Sequence, residues 1–148
     1  MKLANELKKI NSIFIDTAPI IYYIEANPNF GLLSKEVVDL FQNTNLAAFS
    51  SVLTITEVLS KPIETDNKKL VQKFLNFLKY GKNFNLIEIT SDIAEIAANL
   101  KAKYTALKTI DSIQIACAVV NNLDAFLTND KRLKTVKDIK ILVLKDFL

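Results

Sequence analysis

Ser12-Ile13-Phe14-Ile15-Asp16-Thr17-Ala18-Pro19 opens as a short apolar run, stops on an acid and runs on into a proline. The β-branched and aromatic run predicts a buried strand over residues 12–15, and Pro19, suited to a first helical turn, predicts a helix through residue 24. Outward from this unit the pattern repeats. Apolar runs predict further strands at 46–50, 85–89, 125–128 and about 139–144. Between them lie stretches with helical spacing. Ser34 reads as the cap of a helix that buries Val37, Val38, Leu40 and Phe41. A helix through Glu57 and Leu59 is expected to stop before Pro62. Asp66 opens another with Leu70, Phe74, Phe77 and Leu78 on one stripe, and Gly81 stands at its C-terminal cap. Ile93, Ile96, Ala97, Leu100 and Tyr104 mark the next. Residues 111–120 are apolar nearly all round, as in a helix packed against a sheet and a further element. Strands alternating with helices predict an α/β domain with a mostly parallel sheet of about five strands. Its 148 residues, half of them apolar, suit one domain over residues 1–148.

Four acids stand beside these apolar runs: Asp16, Glu57 in Leu-Thr-Ile-Thr-Glu-Val, Asp111 in Thr-Ile-Asp-Ser-Ile-Gln-Ile-Ala, and Asp130 in Phe-Leu-Thr-Asn-Asp. Each alone has a local explanation. Asp16 or Thr17 would cap the helix holding Pro19, Thr54 and Glu57 have capping-box spacing, Asp111 would cap its own helix, and Asn129-Asp130 would form a turn. Jointly they suit another role, because doubly wound sheets place their sites at the carboxyl ends of strands. Carboxylates gathered there hold hard divalent cations through oxygen.

Absences narrow the chemistry. The chain has no histidine, two glycines (Gly31 and Gly81) and one cysteine, Cys117. Within one chain this excludes imidazole bases, Ser-His-Asp triads, His-ligated or cysteine-clustered zinc, disulfides and glycine-rich phosphate loops. Cys117 lies in an apolar stretch and reads as a small core residue. No apolar run is long enough to cross a bilayer, and the first ten residues mix charge into what a signal peptide would keep apolar. A cytoplasmic protein is expected.

Nineteen basic residues, eighteen of them lysines, face 16 acids, a net +3. With the four acids set aside as ligands, 19 cations face 12 acids, leaving +7 on the remaining surface. A basic rim around an acidic pocket suits a polyanion held by its phosphates.

The same residues resemble the PIN domain family, most closely the toxin-type ribonucleases of the VapC group. Ile-Phe-Ile-Asp16-Thr17 is similar to the family's opening motif and Ser51-Val-Leu-Thr-Ile-Thr-Glu57-Val-Leu to its second. Ile110-Asp111-Ser-Ile-Gln-Ile-Ala116-Cys-Ala is similar to the third and Phe126-Leu-Thr128-Asn-Asp130 to the fourth. The likeness runs from residue 12 to about residue 143. It implies a three-layer α/β/α, Rossmann-like fold with strand order 3-2-1-4-5, which would bring all four acids to one crevice. Two places depart from the family's habit. Ala106-Leu107-Lys108-Thr109 replaces a more basic or glycine-bearing loop, and the last motif ends in Asp130-Lys-Arg-Leu, where an aromatic is frequent after the acid.

Asp16 and Asp111 are the expected primary ligands of Mg²⁺, with Mn²⁺ as a substitute, and Glu57 and Asp130 bind directly or through water. Attack on phosphorus by metal-activated water would leave a 5′-phosphate and a 3′-hydroxyl. Crowded carboxylates should also raise at least one pKa until a cation arrives. Thr17, Thr128 and Asn129 are candidates to orient ligands or phosphate, and Arg132, the only arginine, could clamp a phosphate or simply be exposed. The resemblance further implies single-stranded RNA as substrate, a protein antitoxin that buries a peptide in the acidic groove, and a homodimer. Two other readings compete. A non-catalytic PIN-like module would bind RNA or protein without cutting, although it would gain nothing from repelling carboxylates. A phosphotransfer domain with Asp16 as nucleophile would want a second acid beside it, where Thr17 and Ala18 stand.

Overall fold

Side-chain alternation along the central strands sets the layers. In β1 (Ser12–Ile15), Ile13 and Ile15 enter one core and Phe14 the other, and in β4 (Ala125–Thr128), Ala125 and Leu127 are likewise opposed to Phe126. A parallel register sets Phe14 beside Phe126, and their rings stack with centroids 5.0 Å apart. Both are fully buried, so truncating either to alanine would cost about 3–5 kcal/mol.

The structure is a computed structural model that describes residues 2–148. Around β1 and β4 the elements run α1 (Leu3–Leu7), α2 (Thr17–Ile24), α3 (Gly31–Asn43), β2 (Ala47–Ser51), α4 (Val52–Glu64) and α5 (Lys68–Tyr80). They continue with β3 (Phe84–Ile87), α6 (Ser91–Lys103), α7 (Thr109–Val120) and β5 (Lys140–Val143), and a 3₁₀ turn at Lys131–Thr135 joins β4 to β5. All strand pairs are parallel, in the order β3-β2-β1-β4-β5. Helices α1 to α5 supply one apolar core and α6 and α7 the other, with the sheet between them. This is the expected three-layer α/β/α architecture. Helix α7 lies between the sheet and α6, which explains its apolar circumference, and Cys117 is buried in it.

Several local expectations are corrected. Ser34 does not cap a helix. It lies within α3, is 2% exposed, and its hydroxyl has no partner among the described residues. The entry to α3 is held by the Asn27 side chain, which accepts from the Asn29 and Phe30 amides. Helix α4 does not stop before Pro62 but continues to Glu64. A proline this close to the helix end removes only the bond to the Val58 carbonyl, and its ring is buried. Helix α5 is capped by Asn67, whose side chain accepts from the Leu70 amide, while Asp66 takes the left-handed φ of 53° just before it. Gly81 does end α5, although with an ordinary φ of −61°. A side chain there would press a Cβ to 2.5 Å from the Phe77 carbonyl oxygen. Strand β3 begins one residue earlier than expected and ends at Ile87, and β2 and β5 shift by about a residue. Helix α1, which buries Leu3 and Leu7, was not anticipated.

Candidate metal and nucleic-acid site

The four acids sit along the carboxyl edge of the sheet. Asp16 directly follows β1, and its amide donates to the Leu127 carbonyl of the neighbouring β4 at 2.9 Å. Glu57 projects from α4 after β2, Asp111 lies in the first turn of α7, and Asp130 follows β4 by two residues. The topology thus sets two acids on each side of the point where strand order reverses, between β1 and β4.

Two of the acids also cap. Asp16 Oδ1 accepts from the Thr17 amide at 2.9 Å, and Asp130 Oδ1 accepts from the Arg132 amide at 3.0 Å. The other two do not. The N-cap of α7 is Lys108, which leaves Asp111 free of that task, and α4 is capped by Ser51, so Thr54 and Glu57 form no capping box. Local structure therefore does not account for Glu57 or Asp111.

Hydroxyls fix the acids in place. The Thr17 hydroxyl donates to Glu57 Oε1 at 2.7 Å and the Thr128 hydroxyl to Asp16 Oδ2 at 2.8 Å. Thr128 also accepts from the Asp130 amide at 3.1 Å, coupling two acids through one side chain. Asn129 turns away. It is buried, bonds the Tyr22 hydroxyl at 3.2 Å and accepts from the Lys145 amide at 3.0 Å.

Electrostatics separate the acids. Burial raises the Asp16 carboxyl to about 6 against the bonds from Thr17 and Thr128, and the charges of Asp111 and Glu57 add to the rise. Asp111 is also raised, first by burial and then by Asp130 and Glu57, with Lys108 and Arg132 opposing. A raised carboxyl is thus present as expected, but desolvation contributes more than crowding. Asp130 is lowered because the Arg132 guanidinium bonds it. Nε stands 2.9 Å from Oδ1 and Nη2 2.7 Å from Oδ2.

Among the described residues, no three acidic, histidine or cysteine side chains stand close enough to form a ready-made cation cage. The donors still fit a hard cation that keeps much of its water: they are all oxygen, and Mg²⁺ is commonly held by one or two carboxylates. Asp16 and Asp111, both pushed up by burial and like charge, would be relieved by such an ion.

Beneath the acids runs a buried polar chain that the sequence reading did not pick out. The Ser50 hydroxyl donates to the Ile15 carbonyl at 2.8 Å and pairs with Thr54 at 2.7 Å. Gln114 Nε2 donates to Thr54 at 2.9 Å, and its Oε1 accepts from Ser51. The chain ties the segments carrying Asp16, Glu57 and Asp111 together. Its signal was a serine pair at a strand end and a lone amide in an apolar helix.

A three-layer parallel α/β domain with carboxylates collected at the switch point is the class this arrangement defines. The sequence matches the PIN domain family over residues 13–139, and the chain belongs to that family. Solved structures with the same fold include a toxin-antitoxin complex from Klebsiella pneumoniae (22% identity, TM-score 0.64), covering 89% of this chain and 97% of that one. FitAcB from Neisseria gonorrhoeae (18%, 0.69) covers 90% and 98%. The sarcin-ricin loop cleaving toxin VapC20 from Mycobacterium tuberculosis (12%, 0.64) covers 77% and 86%. Comparison with curated protein sequences finds no match. No helix among the described residues is long and apolar enough to cross a membrane.

Proposed function

We propose that this protein is an endoribonuclease that cuts single-stranded RNA with Mg²⁺, or Mn²⁺ in its place, and serves as the toxin of a toxin-antitoxin pair. The observation that carries the reading is the pair of partly buried, mutually repelling carboxylates of Asp16 and Asp111, held beside Glu57 at the strand switch point. Neither Asp111 nor Glu57 caps a helix, so a cation is the simplest explanation for keeping them together. Asp16 and Asp111 would hold the ion, with Glu57 and Asp130 binding directly or through water. When bound, a divalent ion supplies an acidified water and neutralises phosphate charge.

The chain's own groups perform the positioning. Thr128 and Thr17 keep Asp16 and Glu57 from rotating away, and Arg132 is placed to exchange Asp130 for a phosphate in the same bidentate geometry. With no imidazole in the chain, in-line hydrolysis to a 5′-phosphate and a 3′-hydroxyl is favoured over 2′-hydroxyl attack driven by a histidine pair. Family membership and the likeness in fold to a protein solved as a toxin-antitoxin complex support a protein antitoxin as partner. The acidic groove would take a cation that such a partner presents. A homodimer and a cytoplasmic location belong to the same reading.

One observation favours the alternative, a PIN-like module that binds RNA or protein without cutting: Asp130 is already neutralised by Arg132. End-labelled single-stranded RNA incubated with the protein in Mg²⁺, Mn²⁺ or chelator separates the two. Cleavage in metal alone, with 5′-phosphate ends, supports the nuclease; RNA bound but uncut in every condition supports the module.

A further inference from the structure

Beside Asp111 and Asp130 opens a cavity of about 590 Å³, within the size range of small-molecule sites. One wall is the connection between α6 and α7, residues 104–108, and the opposite wall is the turn carrying Arg132 and Leu133. The connection is held in shape. The Tyr104 hydroxyl donates to Asp138 at 2.6 Å and accepts from the Lys137 amide at 3.0 Å. The Leu107 amide donates to the Tyr104 carbonyl at 2.9 Å, and Lys101 Nζ donates to the Leu107 carbonyl at 3.1 Å.

Ala106, Leu107 and Leu133 give the cavity apolar surface, while Lys103, Lys108 and Arg132 place cations on its border. Lys103 is engaged by Asp138 and Arg132 by Asp130, whereas Lys108 enters no ion pair among the described residues. A second cavity of about 480 Å³ lies on the other side of Asp130 and is lined by polar groups including Tyr22, Asn129, Lys131 and Lys145. Of these two cavities beside Asp130, only the first offers an apolar slot with a free cation at its mouth. That combination suits a nucleobase joined to its phosphate.

We propose that the cavity walled by residues 104–108 is a nucleobase subsite, receiving the base next to the cleaved phosphate while Lys108 meets that nucleotide's own phosphate. It rests on the nuclease reading and adds the element that selects among RNA sequences.

The test is amide chemical-shift titration of the full chain with the four ribonucleoside 5′-monophosphates, ribose 5-phosphate and inorganic phosphate. The nucleotides should shift Thr105, Ala106, Leu107 and Leu133, whereas ribose 5-phosphate and phosphate should shift only Lys108 and Arg132. Ala106→Trp, which fills the cavity from an exposed position, should weaken nucleotide binding about tenfold and leave the phosphate response unchanged. Identical shifts from ribose 5-phosphate and nucleotides would overturn the proposal, as would nucleotide binding unaffected by Ala106→Trp. Cleavage of RNA by the same preparation keeps the two readings apart. RNA cut without these shifts retains the nuclease and removes the subsite; these shifts without cleavage retain a nucleotide-binding cavity and remove the nuclease.

Discussion

Both carboxylate oxygens of Asp130 are taken by the guanidinium of Arg132, two residues further along the chain. The only arginine in the protein is therefore a built-in counter-ion to one of the four acids. Arg132→Ala should leave Asp130 open, tightening Mn²⁺ binding by a few-fold in calorimetry while raising KM for RNA through loss of a phosphate partner. Arg132→Lys should recover the metal affinity of the native protein but only part of the KM, because an ammonium lacks the fork. Unchanged metal affinity and KM in both variants would leave Arg132 as surface.

Asp16 makes stability without metal depend on pH. Its folded pKa of about 6 lies above the ordinary 3.8, so between those values the folded state binds a proton that the unfolded state has released. Stability contributed by this group is therefore full below about pH 4 and is lost as pH rises toward 6, by about 2–3 kcal/mol. In chelator, thermal melts should show this fall, and Asp16→Asn should flatten it. Mn²⁺ at pH 7 should raise the melting temperature of the native protein more than that of the variant. A native profile flat from pH 4 to 7 would contradict the assignment.

Gln114 bonds Ser51 and Thr54 in a fully buried chain. Gln114→Leu retains most of the volume but leaves Thr54 with only Ser50 and Ser51 with only the Leu53 amide as partners, which should cost about 1–3 kcal/mol and lower cleavage by loosening the segments that carry Glu57 and Asp111. Paired melting and single-turnover measurements check this. Full activity in Gln114→Leu at a temperature where it stays folded would make the chain purely structural.

How much of this was legible follows from the kind of signal each feature leaves. Strand β4 appeared at its observed ends because a parallel strand buried on both faces is a continuous apolar run. Strand order left no trace in periodicity and came through the family motifs. Helix α1 was missed because five residues are too few for a helical period. Ser34 misled because a serine at a helix start and one buried in its second turn look alike in sequence. At the site, the four acids were visible as acids after apolar runs, but their partners were not. The Thr128 bond to Asp16 spans 112 positions, and the fork from Arg132 depends on a turn whose shape the sequence does not display.

The most direct test of a carboxylate metal centre is the rate of single-stranded RNA cleavage in Mn²⁺ by the native protein and by Asp111→Asn. Asp111 caps nothing and is only partly buried, so the variant should fold, which a melting curve verifies. Metal-dependent cleavage by the native protein and a loss of at least about a hundredfold in the folded variant are expected. Equal rates in the two proteins, with or without chelator, would contradict it.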